Sequence, residues 1–564
     1  MKNKYLIPFI LFLLIIPTFI FLLRPGIYWN MHDDMQIIRQ LEMEKCFQDG
    51  QIPCRWSPDL GFGYGYPLFN FYPPLPYFIG EIFRVVGFSF VTTVKLTAII
   101  QIIASAFAMY ILGASIFGSV GGLISAIFYA YAPYRAVNIF VRGAMNEAWA
   151  SVFFPLIFYF SKKLITDKRF SPQTFIFLSL SISGLLLSHN PMALTFIPFV
   201  GIWCLYWLIN PKNKIKTITS LILASFLAVS NTAFFTIPVL LESKLVQIES
   251  MFVNYYHYSV HFVSLKQLFI SNFWGDGPSV WGTNDGMPFM IGYVHWIVPL
   301  FLIFTSIYFL IKNQQQYTAK ITLLVALMGF FATFMAHQKS GLLWLYLTPI
   351  QKIQFPWRFL SHSSFLLALS AGSLGIFTKK NKFIILTVVI TIVAINWNHF
   401  TPIIFGPIND QQKLSGLAWQ NQITSGIYDY LPQTASTAAK SAAKPIIDEI
   451  NITPPNYEIS GLKTGTDWSL FNLNLKQNAT ITISRLAYPG FKITDFGQNI
   501  KYNIEPKLGR LQIDLPEGQH QIYIKLSNTL IRTVSNIISL ISIISIILVL
   551  INTYGRTRNR QSKK

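Results

Sequence analysis

The chain has 564 residues, of which 52% are hydrophobic, 16% are aromatic and only 12% are charged. A soluble domain carries about 25% charged residues, so this composition argues against a soluble protein and for a polytopic membrane protein. The formal net charge of +21 would suit a nucleic-acid partner, but nineteen of the 44 Lys and Arg residues lie at the termini and in short connections, opposed only by Asp167. This is the positive-inside pattern of membrane insertion, so we expect the lipid bilayer as a partner and no nucleic acid.

Long apolar segments follow one another along the chain. Residues 5–23 come after Lys2 and Lys4 and before Arg24-Pro25, which predicts an uncleaved anchor with its N-terminus in the cytoplasm. Further spans are predicted at 91–112, 119–134, 147–161, 173–188, 191–209, 217–240, 291–311, 320–336, 359–377, 383–399 and 530–551. About twelve spans place every basic connection, including the tail 552–564, on the cytoplasmic side, as in a bacterial inner-membrane protein. The first outer loop, 24–90, and the other polar connections then face the extracytoplasmic side.

Residues 400–529 differ from the rest of the chain because they hold 11 basic and 10 acidic residues and few long apolar runs. Apolar and polar residues alternate at 471–475, 511–515 and 522–526, which is the pattern of half-buried strands. We therefore predict a multi-span domain over 1–399, a linker or helical segment over 400–454, and a small extracytoplasmic β-sandwich over 455–528 before the final helix.

An acidic motif, His32-Asp33-Asp34, stands just beyond the first span. Two ionised carboxylates are costly to desolvate near a bilayer, so a functional role is favoured over a structural one. Asp33 and Asp34 are therefore candidate catalytic residues. With His32 they are also candidate ligands of a divalent metal ion, although no cofactor is required by the pattern.

The rest of the first outer loop gives weaker signals. Residues 35–49 fit an amphipathic helix lying at the membrane interface. The Gly-rich run with Tyr64 and Tyr66 is more typical of an aromatic interfacial loop than of a binding site. Cys46 and Cys54 share this loop, and their spacing leaves the question of a disulfide open.

Three arginines lie at the predicted outer ends of spans: Arg135, Arg142 and Arg358. A guanidinium at this depth suits a lipid phosphate, because its fork matches phosphate oxygens. Arg142 has an equally good structural interpretation, an ion pair with Glu147. The turn at His189-Asn190 is either a further polar group at this level or a hydrogen-bonded helix cap.

The motifs that carry a family resemblance are spread over nearly the whole chain: His32-Asp33, Gly63-Tyr64-Gly65-Tyr66-Pro67, Phe71-Tyr72-Pro73-Pro74, Arg142-Gly143 with Glu147, His189-Asn190-Pro191, Gln354-Phe355-Pro356-Trp357-Arg358 and Tyr488-Pro489-Gly490-Phe491. Together they resemble the C-type glycosyltransferase superfamily (GT-C). More closely, the chain resembles bacterial polytopic membrane proteins related to 6-pyruvoyl-tetrahydropterin synthase, and more distantly the YfhO-like and dolichyl-phosphate-mannose mannosyltransferase-like proteins. The pterin-synthase name implies no pterin chemistry, because the histidine cluster of the zinc enzyme is missing.

The resemblance implies transfer of a sugar from a polyprenyl-phosphate-linked donor to an extracytoplasmic glycan, lipid or protein acceptor. In that superfamily a first-loop aspartate acts as general base or orients the acceptor, sometimes with a divalent metal. Asp33 takes this role here, with Asp34 and His32 as neighbours, and transfer by single displacement inverts the anomeric carbon. The arginines contact the donor phosphate, and the supporting residues are Tyr64, Tyr66, Glu147, His189 and Asn190.

One departure from the superfamily pattern is that the two aspartates are adjacent. Neighbouring side chains diverge on a helix or a strand, so both need not serve the reaction. Two other functions stay open. One is a transporter or flippase of lipid-linked saccharides, and the other is a non-catalytic scaffold for envelope assembly. Transport is disfavoured because charges gather at span ends and no internal repeat is evident.

Overall fold

The computed structural model describes residues 6–209, 214–280, 282, 285–378, 381–451 and 457–561, and for 554–561 it describes the backbone alone. The terminal lysines Lys2 and Lys4, parts of two basic connections and the side chains of the basic tail therefore lie outside the described residues.

The described part of the chain contains eight helices long and apolar enough to cross a membrane. A ninth is added if Lys214–Asn231 and Ala233–Leu245, which meet at 81°, form one broken span. The eight are Phe90–Ala130, Met145–Thr166, Asn190–Trp207, Tyr293–Ile311, Gln316–Ala336, Pro356–Phe377, Lys382–Phe400 and Leu530–Thr553. These helices make the chain a multi-pass membrane protein. The predicted total of about twelve is not confirmed. The segments predicted at 5–23 and 173–188 form shorter apolar helices, Leu6–Thr18 and Pro172–Ser188, and the spans predicted at 91–112 and 119–134 fall largely within the one helix Phe90–Ala130.

The longest helix, Phe90–Ala130, reverses at Gly118, whose φ of 74° and ψ of 174° are not helical. A Cβ placed on Gly113 would lie 3.0 Å from the Cα of Gly122, whereas nine residues of straight helix span about 13.5 Å. The two limbs therefore lie side by side, and the turn falls where spans 91–112 and 119–134 were predicted to be joined.

Shorter helices complete the helical part. The two that matter for the site are Gln36–Gln48 and Leu75–Val86, both in the first outer loop. The remaining α-helices are Leu68–Phe71, Pro133–Ala136, Leu265–Phe269, Gly341–Tyr346, Thr348–Gln351, Asp410–Lys413 and Gly416–Thr424. The helix Gln36–Gln48 is not the interfacial helix that we expect from the sequence. Its polar residues Arg39, Gln40 and Glu42 are buried inside the protein, where Arg39 donates to Asp33, Gln40 donates to Glu81, and Glu42 Oε2 accepts the amide of Asp59.

Most of the strands lie in the C-terminal region, as the fold-class prediction has it. The strands are β1 (Ile27–Trp29), β2 (Phe405–Pro407), β3 (Ile447–Ile450), β4 (Tyr457–Thr464), β5 (Trp468–Leu475), β6 (Ala479–Leu486), β7 (Phe491–Asp495), β8 (Gln498–Ile500), β9 (Asn503–Ile504), β10 (Arg510–Leu515) and β11 (Gly518–Leu526). One sheet has the order β3-β6-β10-β9 and another β4-β5-β11-β7-β8. Alternate residues of both sheets point into one shared apolar core, as the period of two predicts.

The first outer loop is attached to the C-terminal region at two points. β1 pairs antiparallel with β2, so the chain just before His32 is held by residues 405–407. Further along the loop, Trp56 packs edge-on against Phe491 of β7, with ring centroids 5.1 Å apart. The Cys46–Cys54 disulfide closes the loop between these points. The acidic motif therefore lies in a segment whose position is fixed by contacts with the C-terminal region.

Candidate active site

The backbone of the acidic motif is docked on the turn that carries Arg142. The amide of His32 donates to the carbonyl oxygen of Val141 at 3.0 Å, and that of Asp33 donates to the carbonyl oxygen of Arg142 at 2.9 Å. The next turn residue, Gly143, has a φ of +64°, and a Cβ there would lie 2.3 Å from the sulfur of Met31. Glycine at 143 is therefore what allows the two segments to approach this closely.

The carboxylate of Asp33 is oriented through one of its oxygens. Oδ2 accepts hydrogen bonds from Arg39 Nη1 at 2.7 Å and from Gln36 Nε2 at 3.2 Å. Oδ1 accepts none from any described residue, and 34% of the side chain is exposed. Arg39 is itself fixed by the hydroxyl of Tyr72 at 2.9 Å, and its guanidinium lies 4.2 Å from the ring centroid of Tyr72. Asp33 thus presents a fixed carboxylate with one oxygen left for a substrate.

Asp34 is engaged differently. Its Oδ2 accepts a hydrogen bond from Lys413, which comes from the 400–454 segment, and its Oδ1 is buried without a partner in the described chain. Burial raises the pKa of Asp34, against the lowering effect of the Lys413 ammonium. Asp34 therefore ties the first loop to residue 413, and its side chain diverges from that of Asp33, as expected for adjacent residues.

Two arginines share one buried carboxylate. Glu147 Oε2 lies 2.7 Å from Arg142 Nη1 and 3.5 Å from Arg358 Nε, and the Glu147 side chain is fully buried. Glu147 Oε1 accepts hydrogen bonds from Tyr134 at 3.1 Å and Ser361 at 2.9 Å. The three charged groups sum to one surplus positive charge in a largely dehydrated place. Such a charge is costly unless an anion accompanies it.

Both arginines keep donors that the protein does not use. Arg142 donates through Nη1 to Tyr134, Asn138 and Glu147, and Arg358 donates through Nη1 to Ile353 and Gln354. Neither Nη2 forms a hydrogen bond with another residue of the described ranges. The sequence leaves two interpretations of Arg142, an ion pair with Glu147 or a phosphate contact. The two are compatible, because the ion pair is present and one edge of the guanidinium remains free.

The His189-Asn190 turn lies beside this cluster. His189 Nδ1 accepts the amide of Met192 at 3.1 Å, which is the helix-cap arrangement, and Asn190 is the first residue of the helix. Burial and the nearby charge of Arg358 lower the pKa of His189 to about 3. His189 is therefore neutral at physiological pH and adds no charge to the cluster.

The remaining predicted residues are dispersed. Arg135 lies behind the cluster, where it donates to Ser105 and stacks on the ring of Tyr129 at 4.2 Å. Tyr64 donates to Asp448 Oδ2 of β3 at 2.7 Å, away from the acidic motif. Tyr66 is buried with its ring 6.1 Å from that of Tyr430. The tyrosines are thus packed against the C-terminal region instead of forming the exposed interfacial loop favoured from the sequence.

The metal hypothesis does not fit the donor groups. Asp33 is bound to Arg39, Asp34 to Lys413, and His32 Nε2 contacts the carbonyl oxygen of Asp276 at 2.8 Å. Within the described ranges, no three His, Cys, Asp or Glu side chains are grouped as metal ligands. We therefore assign no step to a metal ion.

Sequence reasoning missed Arg39 and Lys413, which bond to the two aspartates, and Asp429, which interacts electrostatically with Asp33 and Arg39. Arg39 follows Asp33 by six positions and sits on a predicted helix, so its position was a usable signal. Lys413 and Asp429 come from the distant 400–454 segment, and no local pattern marks them. Burial and the negative charge of Asp33 raise the pKa of Asp429 to about 6, against the lowering effect of Arg39.

No protein-family model matches the chain. An uncharacterized protein of Lactococcus lactis subsp. cremoris (strain MG1363) is 27% identical over 243 residues, which is 42% of this chain and 39% of that protein. The match thus spans about two fifths of the relative's length. The finer relationship to the 6-pyruvoyl-tetrahydropterin synthase-related and YfhO-like proteins stays a prediction.

Two solved structures show a distant similarity to this chain. The arabinofuranosyltransferase AftD from mycobacteria is 14% identical with a TM-score of 0.40, over 75% of this chain and 27% of that one. The Archaeoglobus fulgidus oligosaccharyltransferase, tethered to an acceptor peptide with an NVT sequon, is 13% identical with a TM-score of 0.41, over 78% and 61% of the two chains. Both TM-scores are below 0.5.

Fold and site together define a class: a multi-pass helical membrane protein with a C-terminal β-rich region, in which a carboxylate lies beside an arginine cluster with surplus positive charge.

Proposed function

We propose that this chain is a membrane glycosyltransferase that moves a sugar from a polyprenyl-phosphate-linked donor to an extracytoplasmic glycan, lipid or protein acceptor. The observation that carries the proposal is the docking of Asp33 on the backbone of Arg142. It places a carboxylate with a free oxygen next to a cluster that attracts an anion. A transfer reaction whose leaving group is a lipid phosphate needs both.

The carboxylate serves as the general base. Asp33 Oδ1 takes the proton of an acceptor hydroxyl as the hydroxyl oxygen attacks the anomeric carbon of the donor sugar. The bond between that carbon and the phosphate oxygen breaks in the same step, and its electron pair leaves with the polyprenyl phosphate. Attack from the face opposite the phosphate inverts the anomeric configuration. Arg39 keeps the carboxylate oriented through Oδ2.

The arginine cluster serves the leaving group. Charge develops on the phosphate as the bond breaks, and in this proposal the free Nη2 groups of Arg142 and Arg358 donate to it. Fixed donors in a dry site stabilise such charge strongly, because they need no reorganisation. Glu147 orients both guanidiniums and neutralises only one of them, which leaves the pocket positive for the donor.

Transfer is tested in inverted and right-side-out membrane vesicles that contain the full chain and a radiolabelled polyprenyl-phosphate sugar. We expect label to leave the lipid fraction and to enter an acceptor fraction with wild-type protein. Asp33→Asn, which keeps the shape and removes the basic oxygen, should reduce the transfer rate at least about 100-fold at equal protein level.

Two results would overturn the proposal. Unchanged transfer by Asp33→Asn would remove the base. Movement of the intact labelled lipid between leaflets, with no sugar released, would instead identify a transporter of lipid-linked saccharides.

A further inference from the structure

A groove lined by residues of four helices opens at the end of the molecule that carries the basic connections, away from the site described above. It encloses about 710 Å³. Its lining comes from the helices Met145–Thr166, Pro172–Ser188 and Leu530–Gln561 and from Ile111 of the helix Phe90–Ala130. Nothing in the proposed reaction uses this groove.

The groove is polar at one end and apolar at the other. Lys163, Ser171 and Gln173 line the polar end, and Leu156 and Phe177 line the apolar end. Lys163 and Leu156 lie on one helix seven residues apart, which is a separation of about 10 Å. A polar end and an apolar end at that spacing match the headgroup and the upper acyl chain of a phospholipid.

The polar end carries a lysine, Lys163, that forms no ion pair with a described residue, although Asp167 follows four positions later. Lys163 Nζ lies 6.0 Å from the ring centroid of Tyr159 and forms no hydrogen bond or ion pair with another described residue. Its neighbour Lys162 is different, because its Nζ donates to the backbone oxygen of Ser115 at 2.6 Å. Lys168 and Arg169 follow on the exposed connection between the two helices. The Lys163 ammonium, at the polar end of an otherwise apolar groove, is complementary to a phosphate group.

We propose that this groove binds one anionic phospholipid, with its phosphate on Lys163 and its acyl chain along Leu156 and Phe177. The lipid fills the space between the final helix, Leu530–Gln561, and the helix pair 145–188. It joins the C-terminal helix to the rest of the bundle on the side opposite the candidate active site. Its binding depends on phosphate charge and not on a sugar donor.

The proposal is tested by native mass spectrometry of the full chain, purified in detergent and titrated with phosphatidylglycerol or phosphatidylcholine. We expect one phosphatidylglycerol adduct of higher affinity and no matching phosphatidylcholine adduct. Lys163→Ala should weaken the phosphatidylglycerol adduct about fivefold, which corresponds to about 1 kcal/mol per lysine at a membrane surface. Lys163→Arg should retain it.

The matched control is Lys320→Ala, since Lys320 is an exposed lysine at the start of the helix Gln316–Ala336 and does not line the groove. It should bind phosphatidylglycerol as the wild type does. Equal binding of the two lipids by the wild type would overturn the proposal. So would an equal loss in Lys163→Ala and Lys320→Ala, because the effect would then be general surface charge. Lys163→Arg, which preserves the fold and the charge, guards against a loss caused by misfolding.

Discussion

The amide of Asp33 donates to the carbonyl oxygen of Arg142 at 2.9 Å, and this bond joins the first outer loop to the turn before the helix Met145–Thr166. The residue proposed as the base and a residue proposed to bind the phosphate are thereby held together by one backbone contact. Arg39 orients the carboxylate and Glu147 orients the guanidinium, so each group has its own support.

Replacement of Glu147 by Gln should destabilise the protein strongly. It leaves Arg142 and Arg358 buried without a carboxylate, and breaking a buried ion pair in this way costs about 3 to 5 kcal/mol. The measurement is the free energy of unfolding in mixed micelles. The control is Glu249→Gln, which alters a glutamate whose side chain is 74% exposed. Equal stability of the two variants would show that Glu147 does not hold the cluster together.

Replacement of Arg358 by Lys should weaken donor use while leaving the fold intact. Lysine keeps the charge but loses the fork that contacts Glu147 and a phosphate at the same time. We expect KM for the lipid-linked donor to rise about tenfold, the range for one charge-assisted hydrogen bond. Steady-state rates over a donor titration measure this. Arg169→Lys, at an exposed position, serves as control, and a KM unchanged in both variants would remove Arg358 from the donor site.

Stability should fall as the pH rises through the range in which Asp429 ionises. Its pKa is raised to about 6, above an ordinary value of 3.8, so between these pH values the folded chain holds a proton that the unfolded chain has released. Unfolding then releases a proton, and the free energy of unfolding decreases with pH by about 2 to 3 kcal/mol in total. Asp429→Asn should lack this decrease. Parallel pH profiles of the two proteins would contradict the assignment.

The Cys46–Cys54 disulfide should support the orientation of Asp33 indirectly. It closes a short loop at the end of the helix that carries Arg39, and a loop of this length contributes about 2 to 3 kcal/mol. The double variant Cys46→Ser/Cys54→Ser should lose about that much stability, measured by thermal unfolding under non-reducing conditions. Cys204→Ser, at the free cysteine, should not. If the double variant and the wild type unfold at the same temperature, the disulfide does not stabilise the loop.

The sequence predicted the parts of this molecule that depend on local patterns. The apolar runs predicted helices, and the alternation near Leu473 and Ile513 predicted strands, because both periods are set by backbone geometry. The sequence also suggests the ion pair Arg142–Glu147, because the two residues are five positions apart around the start of one helix. Lys413 and Asp429 were not found, since no local period brings residues 413 and 429 to the acidic motif.

The interface predictions show a second limit of sequence reasoning. The helix Gln36–Gln48 has an amphipathic pattern, and a polar face is expected to meet water or headgroups. Here Arg39 meets Asp33 and Gln40 meets Glu81, so the polar face is buried against other polar side chains. An amphipathic pattern gives the faces of a helix but not what covers each face.

The most direct test of the account compares the two adjacent aspartates in purified protein. The measurement is the single-turnover rate of polyprenyl-phosphate release for Asp33→Asn and Asp34→Asn, with the anomeric configuration of the product read by NMR. We predict a loss of at least about 100-fold for Asp33→Asn, a loss below about fivefold for Asp34→Asn, and an inverted product. A larger loss in Asp34→Asn than in Asp33→Asn, or a product with retained configuration, would contradict Asp33 as the base of a single displacement.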